Sequence, residues 1–177
     1  MLHKMPGKNR KEFSPIIPLL SAFLFVYFFD RASKYFAMKF LTAGATLPVI
    51  KNFLHLTLLS NTGGAFGIFQ PMPWLFIIVA VIALISISVI LLVGHKRLGL
   101  SEKCALVFML AGIMGNLTDR LLFGHVIDFI DFRIWPVFNI ADCFITTGAG
   151  MLIIRMVATG YDGKGGSRCC RPRVNRR

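Results

Sequence analysis

The chain has 177 residues, 55% of them hydrophobic, and a mean hydropathy of +0.68. That is too apolar for a soluble domain of this size, which leaves one small helical membrane domain as the natural class. A net charge of +12 would point to nucleic acid in a soluble protein, but here the positive charge is segregated by connection, which argues for membrane topology and against a nucleic-acid partner.

Residues 1–13 are polar and basic (Lys4, Lys8, Arg10 and Lys11 against Glu12) and read as a segment outside the membrane. The apolar run from Pro15 to Phe36 predicts a first spanning helix. A signal peptide cut near Ala43-Gly44-Ala45 fits less well, because Asp30, Arg31, Lys34 and Lys39 intervene. Asp30 and Lys34 are four apart near the far end of this helix, so they share a face and can pair. Residues 40–72 form the one long connection. His55, Thr57 and Leu59 alternate with Leu54, Leu56 and Leu58, which predicts a short strand. Asn61-Thr62-Gly63-Gly64 reads as a turn and Ala65–Phe69 as a second strand, together a small external β-hairpin or cradle at the membrane surface. His55 is a lone histidine in a strand pattern, for which a structural role is expected.

Trp74 to Val93 carries no charge and matches the ~20 residues a helix needs to cross a bilayer core. A basic loop follows (His95, Lys96, Arg97, Lys103, with Glu102). The third span starts near Cys104 and must carry Asn116, Asp119 and Arg120 in its far turns, where their spacing puts them on one face. Asp119, next to Arg120, reads as structurally paired. The fourth span runs from about Ile140 to Ala158, with Asp142 in its first turn and Arg155 near enough to the other end to snorkel. Residues 159–177 are Gly-rich and then basic, and read as a disordered tail at the lipid surface. Thus 14–158 is the four-helix transmembrane domain. The four cysteines (Cys104, Cys143, Cys169, Cys170) have no metal-ligand spacing and read as free thiols.

The N-terminal segment, the 94–103 loop and the tail hold most of the Lys and Arg outside the spans. Both termini are therefore expected on the cytoplasmic side, with the 40–72 and 123–139 connections outside. With that threading, the polar residues of the outward helices come late (Asp30, Lys34, Asn116, Asp119, Arg120) and that of the inward helix comes early (Asp142). Asn61, Asp128, Asp131 and Asn139 lie on the external connections. One layer of polar groups at the outer face argues for a site there; a conduction path would scatter them through the bilayer.

The chain has eight acidic residues, and Asp128, Asp131 and Asp142 fall within V-I-D-F-I-D-F-R-I-W-P-V-F-N-I-A-D. No metal-ligand cluster and no phosphate loop accompanies them, so no metal and no cofactor is expected. Two carboxylates brought close cannot both ionise; the ionised one can activate water and the protonated one can polarise a carbonyl. Asp30 has Lys34, Asp119 has Arg120, and Asp131 has Arg133 nearby. Asp128, read as loop, and Asp142 remain as the unpaired couple, although perturbed carboxylates can also be structural. A small transporter and a non-catalytic scaffold are the competing classes.

F-D-R-A-S-K, N-T-G-G-A-F, G-N-L-T-D-R-L, V-I-D-F-I-D-F and F-N-I-A-D-C-F-I, in that order and spacing, resemble the lipoprotein signal peptidases (signal peptidase II), over about Asp30 to Ile154. The resemblance implies a bacterial inner-membrane aspartic protease that cuts prolipoproteins on the N-terminal side of a diacylglyceryl-modified cysteine, acting as a monomer among membrane lipid. It implies Asp128 and Asp142 as the catalytic pair, Asn61, Asn116, Arg120 and Asn139 as substrate-binding, and Asp30, Lys34 and Asp119 as structural support. The third-helix block of the family usually begins with two glycines; here it begins Ala111-Gly112, still small enough for close helix approach.

Overall fold

The computed structural model describes residues 16–62 and 73–162. Among the described residues, four helices are long and apolar enough to cross a membrane: α1 (Ile16–Phe40), α2 (Pro73–Val93), α3 (Leu100–Phe123) and α4 (Ile140–Asp162). Three strands, β1 (Thr46–Ile50), β2 (Leu54–Asn61) and β3 (Val126–Asp131), form one antiparallel sheet in the order β1-β2-β3. The expected class, an all-α membrane bundle with a small β element, is the one observed.

Each helix follows from its residues. In α2 the apolar residues run all round, as lipid on every side allows, and among its large hydrophobic and small residues only Ala80 and Ile87 are buried. The central helix is α3, whose buried line Ala105, Ala111, Gly112, Gly115 and Asn116 is small enough to let neighbours approach. Glu102 Oε2 accepts the Gly99 N–H at 2.6 Å and closes its first turn, and Gly124, at φ 78°, ends it in the left-handed conformation with its N–H on the Arg120 carbonyl. The helix α4 runs past Ala158 to Asp162, so it takes in the first residues assigned to the tail, and α1 continues beyond Phe36 to Phe40. Arg155 reaches Glu102 at 3.7 Å, an exposed pair of small energetic weight.

The α3–α4 seam is close-packed. A Cβ on Gly112 would lie 2.6 Å from the Ala141 carbonyl oxygen and 2.8 Å from Ile145; one on Gly148 would lie 2.5 Å from the Ala105 carbonyl oxygen. Backbone oxygens cannot rotate aside. Gly112→Ala is therefore expected to cost about 1–3 kcal/mol by overpacking and, because Ala141 precedes Asp142, to lower turnover as well. Thermal unfolding in detergent checks this; an unchanged midpoint would mean that the seam opens freely.

β1 and β2 form a small antiparallel hairpin, joined by a turn at Lys51–Phe53 with Asn52 at φ 62°. The turn expected at Gly63-Gly64 and the strand expected at Ala65–Phe69 lie outside the described residues, as do 1–15 and 163–177 with Cys169 and Cys170. Phe53 packs against Phe132 with the rings tilted by 59°, and Leu47, Val49, Ile50 and Phe53 are exposed apolar residues at this edge. One expectation is corrected at β3. Asp128 is not on a loop: Val126–Asp131 is a buried strand at the β2 side of the sheet, with Leu59 opposite Asp128 and His55 opposite Asp131. Its near-continuous burial explains the difference, since a strand covered on both faces loses the period-2 alternation that marks a half-exposed one.

Candidate active site

A strand sends residues an odd number apart to opposite faces. Asp128 and Asp131 are three apart, so they part company. Asp131 turns towards β2 and its own loop, accepting hydrogen bonds from the Thr57 hydroxyl (2.9 Å) and the Arg133 N–H (2.8 Å), with the Arg133 guanidinium at 3.8 Å. Burial alone would raise its pKa, but those donors and the Arg133 charge hold the carboxyl below the usual carboxylate range. Asp131 is thereby accounted for as a brace of the sheet, as the elimination anticipated.

Asp128 points the other way and is 1% exposed. Its Oδ2 accepts from Asn61 Nδ2 at 2.8 Å and its Oδ1 from Asn139 Nδ2 at 2.6 Å. Asn61 sits at the end of β2, opposite Val126, so the strand pairing delivers it. Burial, aided by the neighbouring Asp142 carboxylate, pushes the Asp128 pKa up to about 7 against the lowering influence of the two amides and of Lys34.

Asp142 is placed by its own helix. Asn139 is the N-cap of α4: its Oδ1 accepts the Asp142 N–H at 3.0 Å, while the Asn139 N–H reaches back to Asp142 Oδ2 at 3.3 Å. This reciprocal box fixes the carboxylate in the first turn, where the free N–H groups and the helix dipole favour negative charge. The other oxygen, Oδ1, accepts from Asn116 Nδ2 at 2.8 Å. Asn139 thus touches both aspartates' surroundings, and it is wholly buried behind them.

A second polar layer lies beneath. Lys34 Nζ contacts Asp30 Oδ2 (2.9 Å), Asp119 Oδ2 (2.7 Å) and Asn116 Oδ1 (2.9 Å), using the three protons of the ammonium, and it is 0% exposed. Asp119 also pairs with Arg31 and accepts the Ile127 N–H at 3.3 Å. Asp30 Oδ1 accepts the Ala141 N–H at 2.9 Å, capping α4 from α1. Two carboxylates and two cations balance in charge. The partner expected for Asp119 was Arg120, and that is corrected here: adjacent residues on a helix diverge by about 100°, so Arg120 instead reaches the Asn116 carbonyl (3.4 Å) and stacks its guanidinium over Phe76 (5.1 Å). Arg31 was missed as a partner, because only the packing of α1 on α3 turns it towards Asp119.

These two layers are joined through Asn116. Its oxygen receives the Lys34 ammonium and Asn139 Nδ2 (3.1 Å), which leaves its amide nitrogen facing Asp142. Above the layers lies a pocket of about 200 Å³ lined by Asn61, Asn116, Arg120, Asp128 and Asp142, walled by the stretch Trp135–Phe138. Five of the six residues anticipated at a substrate or catalytic site, Asn61, Asn116, Arg120, Asp128 and Asp142, therefore share one cavity, while Asn139, Asp30, Lys34 and Asp119 stand behind it. No group of three or more metal-ligating side chains occurs among the described residues. A pocket with two carboxylates, two amides and one guanidinium suits hydrolysis by activated water, with amide and guanidinium donors for a peptide backbone.

Residues 22–158 match the family model of signal peptidase (SPase) II. The lipoprotein signal peptidase of Caldanaerobacter subterraneus subsp. tengcongensis is 40% identical over 139 residues, covering 77% of this chain and 93% of that one. That of Halothermothrix orenii is 39% identical over 132 residues, 74% of this chain and 89% of that one. A solved bacterial membrane enzyme superposes with a TM-score of 0.77 at 33% identity, covering 83% of this chain and 92% of that one.

Proposed function

The chain belongs to the signal peptidase II family, and from that premise we propose that Asp128 and Asp142 are the catalytic dyad of an aspartic endopeptidase. Membership makes the protein a multi-pass membrane protease that removes signal peptides from prolipoproteins. The observation that carries the finer reading is the shared pocket: both carboxylates line it, each is held by amides, and neither is ion-paired among the described residues.

Asp128, with its pKa pushed up to about 7, is the member of the pair that holds the proton in the active form. Asp142, at the N-terminal turn of α4, carries the charge and acts as general base. Water attacks the scissile carbonyl and passes its proton to Asp142, while Asp128 donates a hydrogen bond and then its proton to the developing oxyanion. On collapse of the tetrahedral intermediate, the C–N bond breaks, the proton held by Asp142 goes to the leaving amine, and a hydroxyl of the former gem-diol returns its proton to Asp128, which restores the resting pair. Asn61, Asn116 and Arg120 bind the substrate backbone, and Asn139, with Asp30, Lys34 and Asp119, positions the pair. Cleavage on the N-terminal side of the diacylglyceryl-modified cysteine, at the outer face of the bacterial inner membrane with both termini cytoplasmic, completes the reading; the basic loops support that orientation. The enzyme works as a monomer without metal or cofactor.

Incubation with a diacylglyceryl-modified and an unmodified prolipoprotein tests the substrate class. Cleavage of the modified form alone is expected; equal cleavage of both would remove the lipid requirement. The pH profile tests the proton. Above a pKa of about 7 the deprotonated pair lacks its acid, so kcat/KM should fall about tenfold per pH unit from roughly pH 8 upward. A flat profile to pH 10 would contradict a proton held by Asp128.

A further inference from the structure

The end of the bundle away from the aspartates has a feature that proteolysis does not use. Helices α1 and α2 both pack against α3 but scarcely against each other, which leaves a cleft between them. It forms a groove of about 570 Å³ lined by Leu20, Phe23, Leu91 and Leu110, with His95 and Lys103 at its mouth. That volume is in the ~300–1,000 Å³ range of small-molecule sites. From Lys103 to Leu110 the helix rises about 10 Å, some two thirds of the ~15 Å hydrocarbon depth of one leaflet. The mouth therefore sits at headgroup level and the groove runs inward along the acyl chains.

Charge selects the occupant. His95, Lys96, Arg97 and Lys103 gather at this mouth and its loop, and Glu102, the one acid of that loop and first turn, is directed to Arg155. No ion pair engages Lys103 among the described residues. A zwitterionic lipid brings its own cation along with its phosphate and leaves the net positive charge of this mouth uncompensated, and a signal peptide with a basic N-terminal segment would be repelled by it. We propose that the α1–α2 groove binds one anionic phospholipid of the leaflet away from the aspartates, with its phosphate at Lys103 and His95 and one acyl chain along Phe23, Leu91 and Leu110. Juxtamembrane Lys and Arg each strengthen contact with anionic headgroups by about fivefold, and the apolar wall makes the contact site-specific.

Native mass spectrometry of the purified full chain, with phosphatidylglycerol, phosphatidylcholine or inorganic phosphate added, tests this. Wild type should retain one phosphatidylglycerol in preference to phosphatidylcholine, and inorganic phosphate should not compete. The double variant His95→Gln, Lys103→Gln should lose that preference by roughly tenfold while still cleaving prolipoprotein. Leu20→Trp, which fills the groove and spares the rim, should retain neither lipid. Equal retention of the two lipids by wild type, or an unchanged preference in the double variant, would overturn the proposal. So would displacement of the lipid by a synthetic signal peptide, or a lipid-free dimer formed through this face.

Discussion

Asp128→Asn and Asp142→Asn are each expected to reduce prolipoprotein cleavage by at least ~10³-fold, the upper part of the range for a positioned acid or base, while the protein still inserts and folds. Each variant keeps the size of the side chain and an oxygen that can accept the neighbouring amide, Asn61 or Asn139 in one case and Asn116 in the other. What it removes is the exchangeable proton site. Near-normal turnover by either variant would end the dyad assignment. Stability supplies a second reading. The folded pKa of Asp128, about 7, stands above the unfolded carboxylate value of ~3.9. The folded state therefore binds more protons between those values, and the stability contribution present below ~4 is lost as pH rises through about 7. Asp128→Asn should thus be inactive yet no less stable than wild type at pH 8, and its unfolding midpoint should vary less with pH. A variant that is inactive because it is unfolded would show neither.

Lys34→Met is expected to be the most destabilising single change, by about 3–5 kcal/mol, because it strips the shared cation from buried carboxylates. Asp30 and Asp119 are both 0% exposed, and only Asp119 would keep a cation, Arg31. The consequence should reach the site. Without the ammonium, the Asn116 oxygen keeps only its Asn139 donor, and the 2.8 Å donor to Asp142 is less firmly oriented. Unfolding in detergent together with residual activity separates the two effects. Asp30→Asn and Asp119→Asn should follow the same pattern in milder form, with stability falling more than turnover. A fully stable but inactive Asp119→Asn protein would instead move Asp119 from the supporting layer into the chemistry.

The polar cluster and the groove illustrate one design rule of a small membrane protein. At the aspartate-bearing end, four helical elements and a sheet converge, and Lys34 lies between the buried Asp30 and Asp119 while amides hold Asp128 and Asp142. At the other end, α1 and α2 diverge, and lipid has to complete the packing that protein does not.

Much of this was legible in the residues themselves. An uncharged run such as Trp74–Val93 has one physical solution in a bilayer, because its backbone must satisfy its own hydrogen bonds. Asp30 and Lys34 pair because a helix brings every fourth residue round to the same face. The convergence of Asn61, Asn116, Arg120, Asp128 and Asp142 followed from the direction of each span, and they do line one pocket. What local pattern could not supply was the partner across a gap in the chain. Val126–Asp131 lacks alternation because it is covered on both faces, so only its pairing with β2 reveals a strand and turns Asp128 and Asp131 apart. Asp119 stands beside Arg120 in sequence but meets Arg31 and Lys34, since the rotation and depth of α1 against α3 decide which charges touch. The sequence by itself determined the spans, the layer of polar residues and the candidate pair. Tertiary structure decided who holds whom, because periodicity is a property of one element, whereas a buried ion pair or a strand register depends on how two elements are set against each other.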